Sequence, residues 1–171
     1  MAGQAQRWEA EDAYRRLAPS VLAYLRAADP LGYEDLFGDV FVKVARSIKR
    51  FEGNEDALRR WLFTIAQNQL RDSHRQRMRR PKQAAAPPRE EPAPGAPEPF
   101  DPDLLAALLT LTDDQRNVVA LRFIADLSLE DVAGITKRSV GAVKALQHRA
   151  LEALSAAIPG GPPRIEQPWQ P

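Results

Sequence analysis

The chain has 171 residues, 24 Lys and Arg against 23 Asp and Glu, 44% hydrophobic residues and no cysteine. Such a length and balance fit one ordinary globular domain or two small ones, and exclude a chain disordered throughout, a disulfide framework and a thiolate metal site. His74 and His148 are far apart, the N-terminus leads into charged residues rather than an apolar segment, and no run approaches membrane-spanning length, so a cytoplasmic protein without membrane insertion, metal or cofactor is expected.

Charge is unevenly spread: 15 Lys and Arg stand against 11 Asp and Glu over residues 1–80, but 6 against 8 over residues 101–158. The basic excess therefore belongs to the first part, mostly after Leu70. Tyr14, Leu17, Val21 and Leu25 recur at helical spacing, and Pro19 either kinks that helix or starts a new one. After a turn at Asp29-Pro30-Leu31-Gly32, Leu36, Val40, Val44 and Ile48 form one ridge and Phe37 and Phe41 the next, which predicts the core helix of a first domain. Its other face carries Glu34, Asp35 and Asp39, with Lys43 spaced to pair with Asp39. This acidic face has two readings, a surface for a protein partner or acids favoured near a helix N-terminus.

Phe51-Glu52-Gly53-Asn54-Glu55-Asp56 predicts a loop in which Gly53-Asn54 can take positive φ and Asn54 or Asp56 can cap the next helix. That helix starts apolar around Trp61 and ends basic, through Arg75, Arg77, Arg79 and Arg80. At about 100° per residue, Leu62, Phe63, Ala66 and Leu70 gather on one side, and Trp61, Thr64, Asn68, Arg71 and Arg75 share the opposite sector. A flat ring, an amide with donors and an acceptor, and permanent guanidinium charges are the groups that stack on a base, read its edge and hold phosphate, so this sector is read as a nucleic-acid face.

Between residues 81 and 99 the composition turns to Pro, Ala and Glu, too poor in large apolar residues for a core, and predicts a flexible linker. Asp101-Pro102 then reads as a cap followed by proline at the first helical position, with Leu104, Leu105, Leu108 and Leu109 on one face. Thr112-Asp113-Asp114-Gln115 has capping-box spacing before Val118, Val119 and Phe123, and Ser128-Leu129-Glu130-Asp131 repeats the signal before Val132, Ala133 and Ile135. A break at Thr136-Lys137-Arg138-Ser139 precedes a last helix over 140–157, giving a helix-turn-helix with Ser139 as cap. In that helix Val143, Ala150, Leu151 and Leu154 are expected inward, with Gly141, Lys144, Ala145, His148 and Arg149 outward, where they can approach a DNA groove. The organisation expected is all-α: a helical domain over 8–80, a linker over 81–100, a helix-turn-helix domain over 101–158 and a disordered tail over 159–171 that holds Trp169.

Three stretches, in this order, resemble the bacterial RNA polymerase sigma factors of the extracytoplasmic-function (ECF) type. Tyr33-Glu34-Asp35-Leu36-Phe37-Gly38-Asp39-Val40-Phe41 resembles the family's A-E-D-L-x-Q-E-V-F stretch, and Trp61-Leu62-Phe63-Thr64-Ile65-Ala66-Gln67-Asn68 resembles W-L-x-x-I-A-x-N. Val140-Gly141-Ala142-Val143-Lys144 through His148-Arg149-Ala150 resembles the recognition helix V-G-x-V-K-x-x-x-H-R-A. The resemblance implies a factor that binds core polymerase at its clamp and flap, reads promoter DNA as duplex and as melted single strand, and is commonly held by an anti-sigma factor. It assigns Asp35, Leu36, Asp39 and Phe41 to clamp binding, although Leu36 and Phe41 also read as core. Phe51, Asn54, Trp61, Asn68, Arg71, Arg75 and Arg77 would meet the minus-ten element, and Arg138, Gly141, Lys144, His148 and Arg149 the minus-thirty-five element. Two departures stand out: Lys137 where many members carry Gly, and Phe37-Gly38 in place of a more usual polar pair.

Without the resemblance, a helix-turn-helix regulator that binds duplex DNA without polymerase is the alternative. A DNA-processing enzyme would need a nucleophile setting or a carboxylate and histidine cluster at metal-ligand spacing; neither is found, and no catalysis is expected.

Overall fold

The computed structural model describes residues 6–79 and 101–158. The chain divides into two compact units, Met1–Pro99 and Phe100–Pro171, each all-helical apart from one two-stranded ribbon in the first. The expected linker and tail, with Arg80 and Trp169, lie outside the described residues. Among the described residues, no helix is long and apolar enough to cross a membrane, and no group of three or more His, Cys, Asp or Glu could hold a metal ion.

In the first unit, α1 (Ala10–Ala28), α2 (Tyr33–Ser47) and α3 (Glu55–Arg79) pack on one another. Pro19 does not start a new helix, since α1 is continuous through it with the proline exposed. Leu17, Val21 and Leu25 of α1, Leu36, Val40 and Val44 of α2, Ile48 beyond it, and Leu58, Leu62, Phe63, Ala66 and Leu70 of α3 form the core. Each fully buried large side chain of this kind contributes about 1.5–3 kcal/mol. Tyr14 departs from its predicted core stripe: it is half exposed and packs edge-on against Phe41, ring centres 4.8 Å apart, on the outer rim of α1 and α2. Tyr24 is fully buried against Phe63, and its hydroxyl donates to Gln67 Oε1 at 2.9 Å; burial raises the phenol well above the usual tyrosine range.

The predicted loop after α2 is partly ordered as strand. Glu52–Gly53 (β2) pairs antiparallel with Gln6–Arg7 (β1), and neither Gly53 nor Asn54 takes positive φ. Asn54, not Asp56, caps α3, its Oδ1 accepting from Ala57 N at 2.9 Å. The expected Lys43–Asp39 pair is not formed, because Lys43 reaches across to α3 and donates to Gln69 Oε1.

The second unit comprises α4 (Pro102–Thr110), α5 (Asp113–Val119), α6 (Leu129–Thr136) and α7 (Val140–Ala157). All four predicted caps form: Asp101 accepts from Asp103 N, Thr112 and Gln115 close a capping box, Ser128 accepts from Asp131 N, and Ser139 accepts from Ala142 N. Each is worth about 1 kcal/mol to its helix. The helix after α5 widens into a π-helical turn over Ala120–Ile124. That wider turn shifts the helical phase, and in it Phe123 is exposed while Leu121 and Ala125 are buried. Leu109 and Leu151 are also exposed, each at the edge of its stripe; the inward places go to Ala107 and Leu111 near α4 and to Leu146 on α7.

Candidate nucleic-acid interface

In α3 the outward sector forms as expected, because burial of Leu62, Phe63, Ala66 and Leu70 leaves the other face no core to join. Phe51 stacks on Trp61, ring centres 5.0 Å apart and planes 29° from parallel, so the loop before α3 and its second turn present one aromatic surface. Two turns on, Arg71 Nη2 donates to Asn68 Oδ1 at 3.2 Å. With its carbonyl so engaged, the Asn68 amide keeps its N–H donors for an incoming acceptor. The Nε of Arg71 is buried and finds no acceptor among the described residues. Arg75 is exposed one turn further along.

Arg77 departs from this face. It forms two hydrogen bonds to Asp29, to Oδ1 at 3.1 Å and to Oδ2, with the carboxylate only 5% exposed and His74 Nε2 3.9 Å away. Arg77, its side chain 45% exposed, thus ties the basic end of α3 to the turn after α1, a pairing that competes with the expected DNA-backbone contact. Gly32 makes room for this pair, since a Cβ there would stand 2.8 Å from Asp29 Oδ2. Sequence reading missed the pair because Asp29-Pro30 carries an ordinary turn signal and its partner lies 48 residues away.

On α2, Asp35 and Asp39 are exposed and line an open groove of about 680 Å³ with Lys43, Gln69 and Arg77. Leu36 is buried at 4% exposure, in keeping with its reading as core, and the surface it keeps borders the same groove; Phe41 is half-buried beneath Tyr14.

In the second unit, Gly141, Lys144, Ala145, His148 and Arg149 are all exposed on one face of α7. Arg138 is already paired with Asp114 at 2.7 Å, which bridges the break before α7 to the start of α5 and competes with the expected DNA contact. His148 Nε2 lies 3.4 Å from Glu152 Oε1 one turn on.

Residues 11–80 match the Sigma-70 region 2 family and residues 107–156 the Sigma-70 region 4 family. The RNA polymerase sigma factor CarQ of Myxococcus xanthus is 34% identical over 150 residues, 84% of this chain and 86% of CarQ. The ECF RNA polymerase sigma factor ShbA of Streptomyces griseus is 31% identical over 135 residues, 72% of this chain and 70% of ShbA. This chain belongs to the ECF RNA polymerase sigma factors. Among solved structures, the sigma factor RpoE of Bartonella quintana, crystallised with the anti-sigma factor NepR, is similar with a TM-score of 0.70 and 25% identity over 86% of this chain and 94% of that one.

The sigma factor closes its helix-turn-helix turn at Lys137. Lys137 itself adopts the left-handed conformation, φ 56° and ψ 42°, and Arg138 N donates to Ala133 O at 3.0 Å while Lys137 N donates to Gly134 O at 3.4 Å. These two bonds close the same helix end that glycine favours, at a conformational cost that a Cβ imposes. Replacing Lys137 by glycine is expected to stabilise the second domain by about 0.5–1 kcal/mol. Scanning calorimetry of the full chain would then show the corresponding transition raised by about 4 °C; an unchanged or lower midpoint would mean that Lys137 compensates through contacts of its side chain.

Proposed function

We propose that this sigma factor recruits core RNA polymerase to selected promoters, reads the minus-thirty-five element with α7 and the minus-ten element with the start of α3, and holds the latter open as single strand. It makes and breaks no bonds; polymerase does the chemistry. The observation that carries this reading is the joint placement on one face of the Phe51–Trp61 stack and of the Asn68 amide, whose carbonyl accepts from Arg71 and leaves its N–H donors for an incoming base. Unstacking a base costs a few kcal/mol, which an aromatic platform and a preformed amide offset. Asn54 closes the loop beside this platform as the α3 cap, and Arg71 and Arg75 follow the backbone.

Lys144, His148 and Arg149 are the groups we assign to the minus-thirty-five element, with Gly141 letting the helix approach the groove. Asp35 and Asp39 are assigned to the polymerase clamp, with the flap contact left to the second domain. An anti-sigma chain, of the class seen with the Bartonella RpoE, would keep the factor from polymerase in the cytoplasm until released.

Run-off transcription with core polymerase from a related bacterium, across a library of genomic promoter fragments, tests this. Specific transcripts that need the protein are expected, and Asn68→Ala is expected to reduce them about tenfold, the effect of losing about 1.4 kcal/mol of base contact. Transcripts indifferent to Asn68→Ala would remove the pocket assignment. Duplex binding without core, with no stimulation of transcription, would favour a helix-turn-helix regulator.

A further inference from the structure

The minus-ten loop is gripped from the far side by the N-terminal segment. In the ribbon, Gln6 stands opposite Gly53 and Arg7 opposite Glu52, and Arg7 Nε donates to Glu52 Oε1 at 2.9 Å. The next residue, Trp8, is 4% exposed, and its indole Nε1–H donates to the carbonyl of Gly53 at 2.9 Å. Arg16 of α1 lies 5.4 Å over that indole and also reaches Glu55 Oε2 at 3.0 Å, so the ring and the first turn of α3 share one anchor. Gly53 has no slack on its other side. A Cβ there would stand 3.0 Å from Ala57 Cβ and 3.0 Å from Phe51 Cζ. Phe51 in turn is the ring stacked on Trp61. Trp8, Gly53, Phe51 and Trp61 thus form a continuous series of contacts that ends at the base platform.

We propose that Trp8 is a positioning residue for minus-ten specificity: its indole N–H and strand β1 fix Gly53, and through Gly53 the Phe51 ring, in the place from which a flipped base is selected. This rests on the minus-ten reading given above. Trp8 is buried and cannot itself touch DNA, so its influence passes through the loop. A loop fixed before binding loses less conformational freedom when the correct base enters, and it cannot reshape itself around a wrong one. Packing alone would be served by any large ring; the N–H to Gly53 is what a tryptophan adds and a phenylalanine lacks.

The test uses core polymerase with four full-length or near-full-length chains: wild type, Trp8→Phe, a chain lacking residues 1–7, and Phe51→Ala. Run-off is measured on a promoter that the wild type uses, with each minus-ten base randomised and the transcripts sequenced. Trp8→Phe and the truncation are expected to flatten the base preference at one minus-ten position about fivefold, the position that Phe51→Ala also flattens. Core affinity and minus-thirty-five preference should stay within about twofold of wild type. A uniform loss of transcription with base ratios intact would make Trp8 a packing residue and overturn the proposal. Intact ratios in both N-terminal variants, with Phe51→Ala alone flattened, would overturn it while leaving the loop reading in place. Intact ratios in all three would remove the loop reading and the proposal together. If Trp8→Phe fails to fold, the truncated chain, which keeps the indole but loses the strand, decides between these outcomes.

Discussion

Replacing Arg77 by methionine is expected to lower the stability of the first domain by about 3 kcal/mol, and replacing Asp29 by asparagine to lower it by less. The asymmetry follows from burial: the Asp29 carboxylate is 5% exposed, whereas the Arg77 side chain is 45% exposed. Loss of the arginine strands a negative charge in a site that is almost closed to water, beside His74 Nε2 at 3.9 Å. Loss of the carboxylate leaves a guanidinium that solvent can reach, and asparagine preserves the shape around Gly32. Methionine keeps most of the arginine stem, so the difference reports charge rather than packing. Urea unfolding followed by tryptophan fluorescence is the check, since Trp8 and Trp61 both lie in this domain. Equal midpoints for Arg77→Met and wild type would show that the pair contributes nothing and would free Arg77 for the DNA-facing role that its position in the motif suggested.

Leu36→Ala is expected to destabilise the same domain by about 3 kcal/mol, through lost burial and the cavity left behind. Asp39→Ala, one turn away and exposed, is expected to leave stability unchanged within about 0.5 kcal/mol while weakening association with core polymerase. Both residues stand in one motif, and the motif alone does not distinguish them. Their burial does: both border the open groove, but Leu36 is 4% exposed and packs into the core, whereas Asp39 is exposed. Urea midpoints and a pull-down of core polymerase, measured on both variants, separate the two roles. A stable Leu36→Ala that loses polymerase would reverse this division and make the buried leucine a contact.

What could be read from the residues was short-range. Asp101, Thr112, Ser128 and Ser139 cap their helices because a side-chain oxygen needs only an amide two or three residues on. Leu62, Phe63, Ala66 and Leu70 turn inward because helical periodicity acts within a few turns. For the same reason the α7 face of Lys144, His148 and Arg149 was legible, and the order of three motifs was enough to indicate the family. The π-helical turn over Ala120–Ile124 was not legible, because it leaves no composition signal.

Partnerships over long separations were decided by the tertiary structure. Arg77 meets Asp29 across 48 residues, Trp8 meets Gly53 across 45 and Arg138 meets Asp114 across 24. In sequence, Arg77 and Arg138 look like further cations of a DNA-binding face, and Trp8 carries no periodic signal at all. The cationic character of these side chains is fixed by the sequence, but their availability depends on which carboxylate the packed helices bring within reach. Local chemistry therefore determined the helices, their caps and the family. Three-dimensional packing determined which of the basic residues are held by carboxylates, because an ion pair or an indole hydrogen bond forms only when distant segments fold onto one another.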